Sequence, residues 1–449
     1  MQKWSIFSIA VILQIFLLIY FREAIFFWDT VQFAGMHGTY FFENGLSFFL
    51  PQQMDSGHPP LFGNLLALSW IIFGKSLVVS HFMMAPFLIF NLLLALRIGE
   101  YFSPNRPWLF MVLMFICPYY LGHSILVSPD IILVSGFLLC LYAIAEENKL
   151  LAYLGAILLC LISIRGFMLS NAFLVFIIIR NRKNLKAKVD MIMPFVIGLG
   201  LFAVYQLAHY LHVDWIGFHS DSPWQESFSL NNVKGLAINT ILFVWRLLDY
   251  GLVVLLILFS VAIFNGHRAN RKLFALLTLI IIIFYVVTVP FNGLMNHRYF
   301  LPIILLFLLL FSELEWLNKN WLTIGVVALL FCGNFLIYPK HIAQGWDSTL
   351  AHASFYSLET DMHNYILKQN LDHSTIGAAF PLKKDRKYLS LEEGGIIYQD
   401  YDMQKHKYIL YATVMNSFSD EELENLFTYW TKKKQFRKLG SEIILFEKK

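Results

Sequence analysis

The sequence predicts an α-helical polytopic membrane protein of about 11 transmembrane helices, with a juxtamembrane helix and a small C-terminal α/β domain. Three observations predict it. Of 449 residues, 58% are hydrophobic and 14% are charged, against roughly half and a quarter in soluble domains. The apolar residues gather in long runs, many near the roughly 20 residues that a helix needs to cross a bilayer. Beyond residue 338 the chain turns polar and the runs become short. A net charge of +4, with basic residues beside apolar runs, leaves no nucleic-acid footprint. The lipid bilayer is the expected partner.

Spans are expected near 4–27, 77–98, 107–127, 131–145, 150–164, 167–180, 191–211, 238–264, 273–290, 299–312 and 320–338. The first run has only Lys3 before it and no small-x-small cleavage pattern, so it is expected to remain as an anchor. Segment 61–74, LFGNLLALSWIIFG, is too short for a comfortable crossing and is expected along the membrane surface. Two basic loops, one with Arg180, Arg182, Lys183, Lys186 and Lys188 and one with Arg268, Arg271 and Lys272, mark cytoplasmic connections. By parity, 28–60, Asp130, Arg165, the 209–234 loop and 292–298 share the extracytoplasmic face. That describes a multi-pass integral membrane protein, expected in a bacterial inner or plasma membrane. Cys117, Cys140, Cys160 and Cys332 all fall in apolar runs, without disulfide or zinc spacing.

The domain expected over 339–449 follows a membrane domain over 1–338. Strands are expected near 374–380, 394–399, 407–414 and 442–447, and helices near 355–370 and 419–435. Ser419 and Glu422 have capping-box spacing, and Leu423, Leu426, Phe427 and Trp430 recur at helical spacing. Parity puts this domain outside the cytoplasm as well.

The chemistry is expected in 28–60. Asp29 follows the first apolar run at the water boundary, and Asp55 and His58-Pro59-Pro60 stand just before the 61–74 helix. An acidic residue after the first transmembrane helix, then a His-Pro-Pro motif opening a surface helix, resembles the first external loop of the protein O-mannosyltransferase and lipid A aminoarabinose transferase superfamily. The resemblance implies a GT-C fold and an inverting glycosyltransferase. Its donor would be a polyprenyl-phosphate sugar, and its acceptor an extracytoplasmic glycan, lipid or protein.

Sugar transfer to a hydroxyl needs a base for the acceptor proton and cations for the leaving phosphate. Asp29 is the candidate base. Asp130, in SPDIILV, matches a second acidic residue of the family and has the alternative role of a first-turn carboxylate on a helix dipole. Arg298, in NHRYFLP, resembles the family's phosphate-binding cation, with His297 as a helper; an interfacial anchor is the alternative. Arg165, in SIRGF, is a cation stranded between apolar runs, with phosphate or an acid such as Asp29 as partner. His58 and Asp55 are further substrate-binding candidates.

The resemblance leaves a divalent metal open, since the family includes members with and without one. His209, His212, Asp214, His219 and Asp221 form a cluster able in principle to hold a divalent cation, but without recognised ligand spacing. Packing of that loop, with Trp215 and Trp224, on the membrane or on acceptor sugar is the favoured reading. Two other classes stay open, a transporter or lipid flippase and a surface-glycan polymerase or ligase.

Overall fold

The structure is a computed structural model that describes residues 2–180, 185–217, 219, 229–293, 295–395 and 397–449. Arg182, Lys183, Asp221 and Trp224 lie outside the described residues.

Helix α1 (Gln2–Phe21) stands at the margin of the bundle, with Ile12 and Phe16 exposed and Gln14 donating to the Ser124 carbonyl at 3.3 Å. It stops six residues short of the expected span. Arg22 and Glu23 are exposed, and the chain then runs extended so that the Phe26 amide donates to Leu389 O at 2.8 Å. A π-helix (Val31–Met36) and α2 (His37–Asn44) follow. Helix α3 (Leu61–Phe73) has 13 residues, about 20 Å of rise against a hydrocarbon core of about 30 Å. It buries Phe62, Leu66 and Trp70 and exposes Ile71, Ile72 and Phe73, as a surface helix does.

Helices α4 (Leu77–Met83) and α5 (Ala85–Phe102) make up one long apolar stretch. The expected span 107–127 breaks into α6 (Trp108–Ile116) and α7 (Pro118–Ser124). Pro118 lacks an amide hydrogen and drives Cys117 out of the helical region, to ψ 127°. Then come α8 (Pro129–Ala145), α9 (Lys149–Ile162), α10 (Ile164–Arg180) and α11 (Leu185–Val213). Almost every residue of α8 is buried, which makes it the centre of the bundle.

The single span expected over 238–264 is two helices, α12 (Val233–Leu248) and α13 (Leu252–Phe264), bent by 79°. The bend sits at Asp249, Tyr250 and Gly251, the last two with positive φ. Helices α14 (Arg271–Thr288), α15 (Leu301–Ser312) and α16 (Asn320–Gly333) complete the membrane-type part. Gln2–Phe21, Leu77–Phe102, Val189–Val213 and Arg271–Thr288 are long and apolar enough to cross a bilayer, with the bent pair a further candidate.

The C-terminal part carries α17 (Ala353–Lys368), the single-turn α18 (Arg386–Leu389) and α19 (Asp420–Tyr429), which opens with the Ser419–Glu422 capping box. Its sheet has β1 (Ile376–Ala378), β2 (Gln399–Asp400), β3 (Tyr408–Ala412), β4 (Thr431–Lys438) and β5 (Ser441–Glu447) in the order β2-β1-β3-β5-β4. The helix expected to 435 ends at Tyr429, and TKKKQFRK is an edge strand. Its lysines hide the strand from a hydrophobic-pattern reading and guard the free edge against further pairing.

This part grips the loop after α1. Lys387 pairs with Glu43 at 2.8 Å, Trp28 meets Phe380 edge to face, and Phe27 packs on His352 and Phe355. The grip needs Gly35, because a Cβ there would stand 1.9 Å from the Tyr388 carbonyl oxygen. Gly35→Ala is therefore expected to lower stability by about 1–3 kcal/mol. Gly325→Ala, in a helix with nothing within 4 Å, is expected to be neutral or stabilising by up to about 1 kcal/mol. Thermal unfolding in detergent checks the pair.

Candidate active site

The ends of several elements meet at one place. Arg298 lies in a 3-10 turn (His297–Phe300) leading into α15, and the Asn296 side chain accepts from its amide at 3.4 Å. Its guanidinium is only 4% exposed and bridges two acids. Nη2 contacts Asp29 Oδ2, and Nη1 donates to Asp347 Oδ2 at 2.9 Å. Asp29 follows Trp28, whose φ of 52° is unusual for a bulky residue and turns the carboxylate inward. Asp29 is therefore buried and paired rather than at an open water boundary.

A second ion pair stands beside the first. Arg165, in the first turn of α10, reaches Asp130 at 2.5 Å; the two are close without being aligned as a hydrogen bond. Asp130 opens α8 behind Ser128, which accepts from the Asp130 amide and donates to its Oδ2, both at 3.2 Å. Arg165 thus pairs with Asp130, not Asp29. The ring of Tyr299 is close to both cations, 4.8 Å from the Arg165 guanidinium and 5.2 Å from that of Arg298. Each guanidinium is thus within cation–π range of the same ring.

Several of these groups line a cleft of about 930 Å³. Asp29, His58, Arg165, Arg298 and Tyr299 are among its polar lining, and Phe33, Met168, Phe284 and Val287 are among its apolar lining, the last three carried by α10 and α14. Among the described residues Asp29 is the only carboxylate lining the cleft. His58 Nδ1 accepts from the Ile164 amide at 3.3 Å, so its neutral ring carries the proton on Nε2. Burial first, and then Arg165, push His58 down to about 3. It is a neutral hydrogen-bond donor near neutral pH.

Other expected site residues are used elsewhere. Asp55 does not line the cleft; it accepts from the Gly57 amide and meets His209 Nε2, both at 2.8 Å, pinning the loop. His297 is fully buried and faces away, 2.8 Å from Asp249 and 3.1 Å from Arg246 at the α12–α13 bend. Of the suspected metal cluster, Asp221 lies outside the described residues and the described members have other contacts. His212 stacks on Phe49, His219 meets Gln52 O at 3.0 Å, and among the described residues no group of three or more His, Cys, Asp or Glu is placed to hold a metal.

Residues absent from the sequence reading also appear. Asp347 lies in a polar stretch with no motif, and only folding brings it to Arg298. Arg246 and Asp249 mark the bend and were legible only as charges inside an apolar run. His123 is fully buried near Asp130 and Asp347, with neither ring nitrogen bonded.

Because the folded pKa of His58 lies below its unfolded value of 6.5, the unfolded chain binds the proton first as pH falls. Stability is expected to be complete above about 6.5 and to decline toward about 3. His58→Gln should flatten that acid limb when unfolding is followed against pH, and an unchanged slope would assign the limb to other groups such as His37, pushed down to about 4 by burial.

No protein family and no curated protein matches this sequence. Solved structures do. ArnT from Cupriavidus metallidurans bound to undecaprenyl phosphate matches with a TM-score of 0.57 at 11% identity, over 98% of this chain and 97% of that one. The same protein in the apo state matches with a TM-score of 0.54 over the same shares. At that identity the likeness is one of fold, and it runs nearly end to end. The chain has the GT-C fold of the lipid A aminoarabinose transferase ArnT.

Proposed function

We propose that this protein is an inverting glycosyltransferase that moves one monosaccharide from a polyprenyl-phosphate carrier to a glycan, lipid or protein acceptor on the extracytoplasmic face. The observation that carries this reading is the mixed lining of the cleft, cationic and apolar together. Two guanidiniums and a neutral His58 donor suit a phosphate, and the apolar wall between α10 and α14 suits an isoprenoid chain. The same-fold ArnT structure holds undecaprenyl phosphate, which supports that class of donor.

In this reading the phosphate competes with carboxylates for Arg165 and Arg298. Its arrival on Arg298 loosens Asp29, while Asp347 keeps the guanidinium in place. The freed Asp29 takes the proton as the acceptor oxygen attacks the anomeric carbon. The bond from that carbon to the phosphate oxygen breaks, and its electron pair leaves with the polyprenyl phosphate. Donor binding therefore precedes activation of the acceptor. Asp130 serves by holding Arg165.

One observation favours a transporter, the broken helix with Arg246 and Asp249 at the break. Both charges are tied to His297 and neither lines the cleft, which favours the enzyme. Release of free polyprenyl phosphate in proteoliposomes separates the two, since a flippase leaves the carrier bond intact. Mass spectrometry of surface glycolipids and glycoproteins from cells with and without the gene identifies the acceptor and the sugar.

Asp29→Asn is expected to keep donor binding and lose turnover by roughly 10²–10⁴, the usual contribution of a general base. A near wild-type rate would move the base to another residue. Arg298→Ala is expected to lose donor binding and, by leaving Asp29 and Asp347 buried without their cation, about 3–5 kcal/mol of stability. Arg298→Lys should fall between the two in donor affinity, because a point charge replaces a fork. Donor titration beside thermal unfolding distinguishes lost binding from lost folding.

A further inference from the structure

Helices α10 and α14 line the catalytic cleft at one end only. Arg165 and Met168 at the start of α10, and Phe284 and Val287 near the end of α14, belong to the cleft. At the other end the same two helices line a second cavity of about 770 Å³, reached by Arg180 on α10 and by Arg271 and Lys272 on α14. From Arg165 to Arg180 is fifteen residues, a rise of roughly 22 Å. The second cavity thus opens at the opposite membrane face, the one that the basic loops assign to the cytoplasm.

Its chemistry is mixed. Phe102, Phe176 and Leu276 supply an apolar wall and Arg180, Arg271 and Lys272 a cationic rim. Arg180 donates to Ile144 O at 3.4 Å and stands 3.7 Å from Glu147, a carboxylate that is itself 74% exposed. Arg271 and Lys272 are exposed and pair with no carboxylate among the described residues. They occupy the first turn of α14, where the helix dipole disfavours cations, so helix stability does not account for them. Membrane orientation accounts for positive charge in this loop but not for a cavity with an apolar wall beside it. Glu313, linked to the rim through Asn270, is pushed up to about 7 by burial, so near neutral pH much of it is protonated and repels an anion less.

We infer that this cavity binds the phosphate headgroup of an anionic phospholipid from the leaflet opposite the catalytic cleft, with Arg271 and Lys272 on the phosphate and an acyl chain against Phe102, Phe176 and Leu276. Juxtaposed cations above an apolar groove between helices are suited to this class of ligand. Free inorganic phosphate shares the headgroup chemistry but leaves the apolar wall uncovered. The inference does not depend on the reaction assigned to the cleft.

The test uses the full chain in nanodiscs of phosphatidylcholine, with or without phosphatidylglycerol, and reads the unfolding temperature and lipids retained in native mass spectrometry. Phosphatidylglycerol is expected to raise the unfolding temperature and to be retained preferentially. Arg271→Ala and Lys272→Ala should each remove at least half of that rise. Arg268→Ala, which deletes one charge from the same loop outside the cavity, should leave it intact. Inorganic phosphate added to phosphatidylcholine discs should not reproduce it. An equal rise in all three variants, no preference for phosphatidylglycerol, or full reproduction by inorganic phosphate would each overturn the assignment. Should Arg271→Ala or Lys272→Ala fail to fold, Leu276→Trp, which fills the apolar side without changing charge, should lower lipid retention; unchanged retention would also overturn it.

Discussion

A guanidinium with almost no exposure inside an apolar helical protein governs the rest of the molecule. An isolated charge of that kind is strongly disfavoured, and it is tolerated only when partnered by acids in good geometry. Arg298 draws one acid from 269 positions earlier in the chain and another from 49 positions later. The loop after α1 and the segment before α17 must therefore both close on the 3-10 turn at 297–300. The arm at 24–27, its bond to Leu389 and the close packing of Gly35 on α18 all accompany the placing of Asp29 at that point.

The same arrangement keeps the charges exchangeable. Three carboxylates, Asp29, Asp130 and Asp347, pair with two guanidiniums, and both cations lie near the Tyr299 ring. An anion reaching these guanidiniums would meet cations whose present partners are also anions. Replacement of one anion by another requires no large movement of the helices. Of the three acids, Asp29 alone lines the cleft. Asp130 and Asp347 are placed behind the cations, where they orient without competing for space.

Helices α10 and α14 tie this site to the far side of the membrane-type bundle. Each contributes residues from one end to the cleft and from the other end to the second cavity. The broken α12–α13 pair supports the arrangement from the side, since Asp249 and Arg246 fix His297 and so the turn that carries Arg298.

The sequence by itself determined the membrane class, the polar C-terminal part with its capping box, and the short motifs around Asp29, His58, Arg165 and Arg298. These depend on composition, run length and local spacing, which are properties of neighbouring residues. Element boundaries were legible where local chemistry was unambiguous, as at Ser419, and failed where a tertiary contact or a single residue decided them. Pro118 and the turn at Asp249 to Gly251 broke expected spans, and lysine-rich β4 was masked by its own edge protection. Only the tertiary structure decided which charges are partners. Arg165 chose Asp130, His297 and Asp55 turned to structural bonds, and Asp347 joined Arg298. The physical reason is that the cost of a buried charge is met by whichever opposite charge the fold brings within reach, and that reach is not written in sequence separation.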